Sequence, residues 1–522
     1  MTSIRTDELG RTFEIPIQRV ENHSILSTHT FVLNKIATLL STSLGPNGMD
    51  KIIQTQDDEI VVTNDGATIL ESMCMTENPI SKLIVELSKA QDDEIGDGTT
   101  SVVILANSLL KNAEALFKKG VHKSKIAEGY EMALELSLKY LHQISEEVSD
   151  VRFYMEKAAK TSLNSKITGK IENFAKICAD AVYLIADKER KDLNFDRIRI
   201  EKKIGNDLSE SVLINGVVLN KEFSHPQMRK EIENAKIAIL TCPFELPKLK
   251  NKNDLLIKNV EDFKNLEDYE IKKFKNMIEK IKEVGADVVI NQWGFEDEAN
   301  SLLMENNIPA IRWVGGSEME AIALHSNGSI VSRFENLTEK DLGTADLKEI
   351  SLGTESEKII VVKNKNNNDL VTILIRGSTD AIMEEAIRSV RDALCAARNV
   401  LQQRIVYGGG SFELTCSDYL EKEAVKIDNW STDVIMSYGN ALEEIPLCLA
   451  KSSGYNSLEY VEDLKNKQKE SGNIYLGVDC DGSGNDMKIK EVFDSEKGKA
   501  HLLSCATQLV LMILKIDDVV IE

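Results

Sequence analysis

Gly96-Asp97-Gly98-Thr99-Thr100-Ser101 runs straight into Val102, Leu105, Ala106, Leu109, Leu110 and Ala113, and this stretch decides how the chain reads. The apolar residues recur at helix spacing. Thr99, Thr100 and Ser101 therefore open a helix, where free N–H groups and the helix dipole attract an anion. Asp97 beside that anion would repel it unless a divalent cation lay between them, so the pattern points to a Mg-nucleotide site. Asn64-Asp65-Gly66-Ala67-Thr68 likewise sets a carboxylate among residues that let backbone come close to a ligand. Thr42-Ser43-Leu44-Gly45-Pro46-Asn47-Gly48 is a third tight turn, following an apolar helical run of Phe31, Ile36, Leu39 and Leu40. Each alone is also an ordinary turn or N-cap. Three in the first hundred residues point to one assembled pocket.

The chain holds neither G-x-x-x-x-G-K-[ST] nor G-x-G-x-x-G between strand and helix, so the P-loop, kinase and Rossmann readings lack support. Its 522 residues suffice for three or four domains. A net charge of −22 argues against a nucleic-acid partner. The absence of any run of about 20 apolar residues argues against a membrane span. The N-terminus has no apolar signal core. Eight cysteines are scattered without a CxxC pair, which argues against a zinc site or a disulfide framework. Together these features predict a cytoplasmic protein in a reducing compartment.

Along the chain, 3.6-period stripes predict helices over 31–41, 79–92, 99–118 and 124–145, with a hairpin-like stretch over 51–63. From Ile198 the texture changes to strands at 198–205, 211–219 and 237–240. Short buried strands are expected at 287–291 and 309–314, each preceded by a helical segment, which is an α/β signature. A long helix over 381–402 returns the chain to a helical region that continues to the end. Residues 242–284 begin as a Pro- and Lys-rich extended piece and end in a helix with a narrow apolar stripe, including Tyr269, Phe274, Met277, Ile278, Ile281 and Val284. That stripe suits a helix packed on its own domain as well as one that docks on neighbours.

Taken together, T-S-L-G-P-N-G-M-D-K (Thr42 to Lys51), N-D-G-A-T, G-D-G-T-T, Gly408-Gly409-Gly410 and Gly477-Val478-Asp479 resemble, in order and spacing, the nucleotide-site motifs of the group II chaperonins. The resemblance covers the whole chain. Residues 85–97 (VELSKAQDDEIGD), 291–300 (NQWGFEDEAN), 311–316 (IRWVGG) and 512–518 (MILKIDD) further resemble one subunit branch of the eukaryotic cytosolic complex.

The resemblance implies a multidomain α/β and α fold of the chaperonin type. A helical equatorial ATPase domain (1–150 and 407–522) would carry an inserted intermediate domain (151–214 and 374–406). An α/β apical domain (215–373) would bear a helical protrusion at about 245–284 that acts as a built-in lid. It also implies ATP/ADP and Mg²⁺ as cofactors, paralogous subunits in a hetero-oligomeric double ring, and non-native clients such as actin and tubulin.

The implied site residues are as follows. Leu44, Gly45 and Pro46 contact the base side and phosphates, and Asp97 binds Mg²⁺. Gly98, Thr99, Thr100 and Ser101 hold phosphate oxygens, and Asn164, Ser165 and Lys166 sense the γ-phosphate. Gly409 and Gly410 let backbone approach the nucleotide, and Asp479 bonds the ribose or base side. Asp494 stands where the family often has a glutamate near the base. Asp65 and Asp392 orient and activate the water. Asp392 also lies four residues after Arg388, a spacing that equally suits a surface ion pair of little consequence. A homo-oligomeric archaeal-type chaperonin and a ring subunit that binds nucleotide with little hydrolysis are the alternatives.

Overall fold

The computed structural model describes residues 2–6, 12–16, 22–54, 58, 60–73, 79–169, 171–187, 189–205, 207–246, 259–353, 358–365, 369–427 and 430–517. The chain divides into two compact units: residues 1–179 with 384–522, and residues 180–383.

The first unit is mainly helical. Helices Asn22–Ser41, Pro79–Glu94, Thr99–Lys118 and Lys123–Ile144 occupy the predicted places. Strands Lys51–Gln54 and Ile60–Thr63 form the expected antiparallel hairpin. Thr99–Lys118 is the central element. Val102, Leu105, Ala106, Leu109, Leu110 and Ala113, the stripe read from sequence, are all fully buried. They share one core with Leu33, Ile84 and Tyr130 from the first part of the chain and with Phe412, Tyr438 and Val510 from the last part. Each large side chain buried there contributes about 1.5–3 kcal/mol of apolar transfer.

The helical texture expected after the 381–402 helix is interrupted. Arg404–Tyr407 pairs with Phe493–Ser495 on one side and with Glu146–Glu147 on the other, making a small antiparallel sheet. Strands of two to four residues are too short to show a period of two, which explains why the pattern escaped notice.

In the second unit, the main sheet runs Ala310–Ile311, Val288–Asn291, Glu231–Leu240, Gly343–Ser351, Lys358–Lys363, Val217–Leu219. Its first three strands are parallel, as is a seventh, Ile330–Val331, which also pairs with Glu231–Leu240, and the rest are antiparallel. A second sheet joins Ile198–Ile204, Val371–Gly377 and Val212–Asn215. The strand expected over 211–219 is thus two strands in different sheets, with the break at Gly216.

Of the expected protrusion, residues 247–258 lie outside the described residues, as does Asp518 of the 512–518 segment. The helix Val260–Val284 is present. The stripe on its C-terminal half is buried: Phe274, Ile278 and Ile281 enter the core of the unit, with Met277 and Val284 packed against it. Among the described side chains of this helix, the exposed large apolar groups, Val260 and Tyr269, lie in the N-terminal half. Of the two alternatives left open by the sequence, packing on its own domain holds for residues 274–284, whose stripe joins the same cluster as the sheet residues Ile237, Ile239 and Val289.

Candidate functional site

The turns that open the helices of the first unit converge on one cavity of about 240 Å³, lined by Leu44, Gly45, Pro46, Asp65, Asp97, Lys166 and Asp392, among others. Gly98 to Ser101, Asn164, Ser165, Gly409, Gly410 and Asp494 line it too.

Local chemistry explains the convergence. Asp65 caps the helix Gly66–Ser72: one carboxylate oxygen accepts from the Thr68 N–H at 2.8 Å and from the Thr68 hydroxyl at 2.7 Å. Its other oxygen accepts from the Thr99 hydroxyl at 2.8 Å, joining the two motifs read from sequence. Gly66 is required at this junction, since a Cβ there would lie 2.7 Å from Thr100 Oγ1 and 2.9 Å from its backbone N. Gly98, at φ +80°, caps the helix Thr99–Lys118 without a side-chain acceptor. The first-turn N–H groups of that helix thus lack a side-chain cap at the cavity, and they can take an anionic ligand. The Asp97 carboxylate folds back to accept from the Gly98 N–H at 2.6 Å.

The turn after helix Val151–Leu163 brings in Lys166. It is fixed by the Lys166 N–H on the Leu163 carbonyl (2.8 Å) and by Asn64 Nδ2 on the Ser165 carbonyl (2.8 Å). The Lys166 ammonium, 8 % exposed, pairs with Asp392 Oδ2 from the helix Asp380–Val400. Arg388 instead pairs with Glu385 at 2.9 Å, so the surface-pair alternative for Asp392 does not hold.

The electrostatics follow from three carboxylates set around one ammonium at the cavity. Burial raises Asp392 above the ordinary carboxylate range, with Asp65 and Asp97 adding to the rise and Lys166 opposing it. Burial also raises Asp97, and Asp494 adds to it. Burial works against the charge on Lys166, but Asp392, Asp97 and Asp65 outweigh it and hold the ammonium charged. Asp65 sits below its ordinary value: burial opposes this, and the Thr68 bonds, Lys166 and the Thr99 bond overcome it. The excess of carboxylate over ammonium is what a hard divalent cation with oxygen ligands relieves. A magnesium nucleotide fits this donor set: Asp97 for the cation, the uncapped helix terminus for phosphate.

One predicted residue stands just behind the lining: Val478, Cys480, Asp481 and Lys490 around it face the cavity. Asp479 is not among the residues lining the cavity. Its carboxylate accepts from the N–H groups of Asp481, Gly482, Ser483 and Gly484 and from Lys490 Nζ at 2.5 Å. Burial opposes its ionisation, but Lys490 and the loop N–H groups hold it down at about 2. Asp479 therefore organises its own loop. Four of these bonds fall on Oδ1 and one on Oδ2, so the carboxylate is held mainly by its own loop and Lys490.

Sequence reasoning missed Lys499, which lines the cavity and bonds Asp494 at 3.1 Å and the buried Glu413 at 2.6 Å. Its only signal is a lysine in the first turn of the helix Glu496–Lys515, where the dipole disfavours a cation.

The family model of the TCP-1/cpn60 chaperonins matches residues 36–522. The chain belongs to that family. This chaperonin chain is 57% identical over 527 residues to T-complex protein 1 subunit epsilon of Encephalitozoon cuniculi, covering 100% of this chain and 99% of the relative. The thermosome subunit of Methanocaldococcus jannaschii is 38% identical over 490 residues, and that of Methanopyrus kandleri 36% over 491; each spans 93% of this chain and 90% of the relative. The higher identity to the epsilon protein agrees with the branch indicated by residues 85–97, 291–300 and 311–316.

Proposed function

We propose that this chain is an ATP-hydrolysing, epsilon-type subunit of a hetero-oligomeric double-ring chaperonin of the cytoplasm, assembled with paralogous subunits and enclosing non-native proteins, actin and tubulin among them. The supporting observation is the meeting of Asp97, the uncapped terminus of Thr99–Lys118, Lys166 and Asp392 in one cavity. Residues 151–214 and 374–406 serve as the intermediate hinge, and about 245–284 as the lid.

Asp97 holds the magnesium, which when bound neutralises phosphate charge and polarises the γ-phosphoryl group. The N–H groups and hydroxyls of Thr99, Thr100 and Ser101 cradle phosphate oxygens, and Gly45, Pro46, Gly409 and Gly410 bring backbone against the nucleotide. Lys166 stabilises charge developing on the γ-phosphate. Asp392, raised by burial and bonded, among the described residues, to a lysine that the phosphate can draw away, orients the attacking water and takes its proton. Asp65 has both oxygens committed to Thr68 and Thr99, so its part is to hold the Thr99 end of the cradle.

The test is single-turnover ATP hydrolysis in the assembled complex with Asp392→Ala in this subunit alone. A loss of about 10²-fold or more at this site is expected, the scale of a positioned base. An unchanged rate at this site would return the chain to a nucleotide-binding structural subunit.

A further inference from the structure

The helix that carries Asp392 does more than present that carboxylate. Its Asp392, Cys395 and Asn399 follow i, i+3, i+7 spacing and so share one face. Cys395 lies against Gly96 so closely that a Cβ on the glycine would come within 2.3 Å of Cys395 Cβ. One turn further on, Asn399 Nδ2 donates to the Ile95 carbonyl at 3.0 Å, and the Arg398 guanidinium donates to the Glu94 carbonyl. Asn399 is only 3 % exposed. The segment it grips is the turn that ends in Asp97. From the opposite side Gln91 donates to the Asp97 carbonyl at 2.8 Å.

We propose that Asn399 is a positioning residue for the cation site, registering the Asp392 helix against the 94–98 turn so that Asp97 and Asp392 keep a fixed separation. The inference rests on the reading of Asp97 as the cation ligand and Asp392 as the group that orients the water. Its physical basis is that the turn makes few other bonds on this side. Gly96 has no side chain to anchor it, and the Ile95 carbonyl would otherwise be a buried acceptor without a partner. Without the Asn399 bond the turn can slide along the helix, and Asp97 moves while Asp392 stays. Outer partners of metal ligands typically change metal affinity or activity by about 10–100-fold.

Asn399→Ala and Asn399→Asp in the full-length chain test this by the Mg²⁺ concentration that half-saturates binding of a fluorescent ADP analogue. The expected result is a rise of about 10–100-fold, with affinity for the analogue in EDTA unchanged within about two-fold. Single-turnover hydrolysis in the assembled complex should fall in parallel. Gly96→Ala, which pushes the turn off the same helix face at Cys395, should give the same magnesium signature and covers the case in which the Asn399 variants do not fold. A lowered melting temperature with native magnesium dependence would make Asn399 a purely structural residue and overturn the proposal. If Asp97→Asn itself retains native magnesium dependence, the site reading beneath the proposal fails and takes the proposal with it.

Discussion

Gly66→Ala should disable the site through the phosphate cradle, at a residue given no nucleotide contact of its own. The added methyl would lie 2.7 Å from Thr100 Oγ1 and 2.9 Å from Thr100 N. Ordinary contact needs about 3.5 Å, so one side must yield by roughly 0.6–0.8 Å. The helix Thr99–Lys118 is poorly able to do so, since Val102, Val103, Leu105 and Ala106 are completely buried behind it. The strain is expected to appear as a stability loss of about 1–3 kcal/mol, the usual cost of overpacking. It should also displace the Asp65–Thr99 bond and the phosphate cradle, and a misplacement near 1 Å can cost about 10²-fold in rate. The assay is single-turnover hydrolysis in complexes carrying the variant in this subunit, alongside thermal unfolding of the isolated chain. Gly316→Ala, which meets no atom within 4 Å, is the matched control. A Gly66→Ala subunit that hydrolyses ATP within two-fold of the native rate would refute the claim that the two motifs abut.

Asp97→Asn should weaken MgADP binding while leaving magnesium-free binding unchanged, as titration calorimetry with and without EDTA will show. Asp479→Asn should destabilise the isolated chain at neutral pH by about 2–3 kcal/mol, because a carboxylate held at about 2 rather than 3.8 contributes roughly 1.4 kcal/mol per unit. That contribution is present above pH 4 and lost as the pH falls through 2. The gap in melting temperature between variant and native chain should therefore close over that window, and a gap unchanged down to pH 2 would contradict the loop-organising role. Limited proteolysis of the helix Val260–Val284 should cut before Phe274, since Phe274, Ile278 and Ile281 are buried. Cleavage within 274–284 in the folded chain would contradict that packing.

The cavity was largely legible because its parts are local. A glycine, a carboxylate and a helix start within five residues each carry their own geometry, and the motif set gave their grouping. The central helix was legible as well, its stripe at 102–113 being strong enough to mark the buried face. Long-range pairings were not legible. Nothing near residue 499 announces that Lys499 meets Glu413, and nothing in Gly477-Val478-Asp479 reveals that the carboxylate turns into its own loop. The sheet joining 146–147, 404–407 and 493–495 is too short to leave a period. The helix after 259 shows its stripe plainly, but a stripe says only that something covers it, not what.

The core of the first unit has a consequence for the order of events at the ribosome. Its helical walls come from residues before 180 and after 383, with Val102 and Leu109 packed in one cluster with Phe412, Tyr438 and Val510. At roughly 5–20 residues per second, the two hundred or so residues between them take about 10–40 s to emerge. Throughout that interval the N-terminal helices expose the apolar face meant for partners not yet made, while residues 180–383 can already bury their own core. The nucleotide cavity is thus the last part to be completed: Asp97 and its cradle are made early, and Asp392, Gly409 and Asp494 arrive only at the end. A nascent chain of this design spends most of its synthesis as a candidate for the attention of other chaperones.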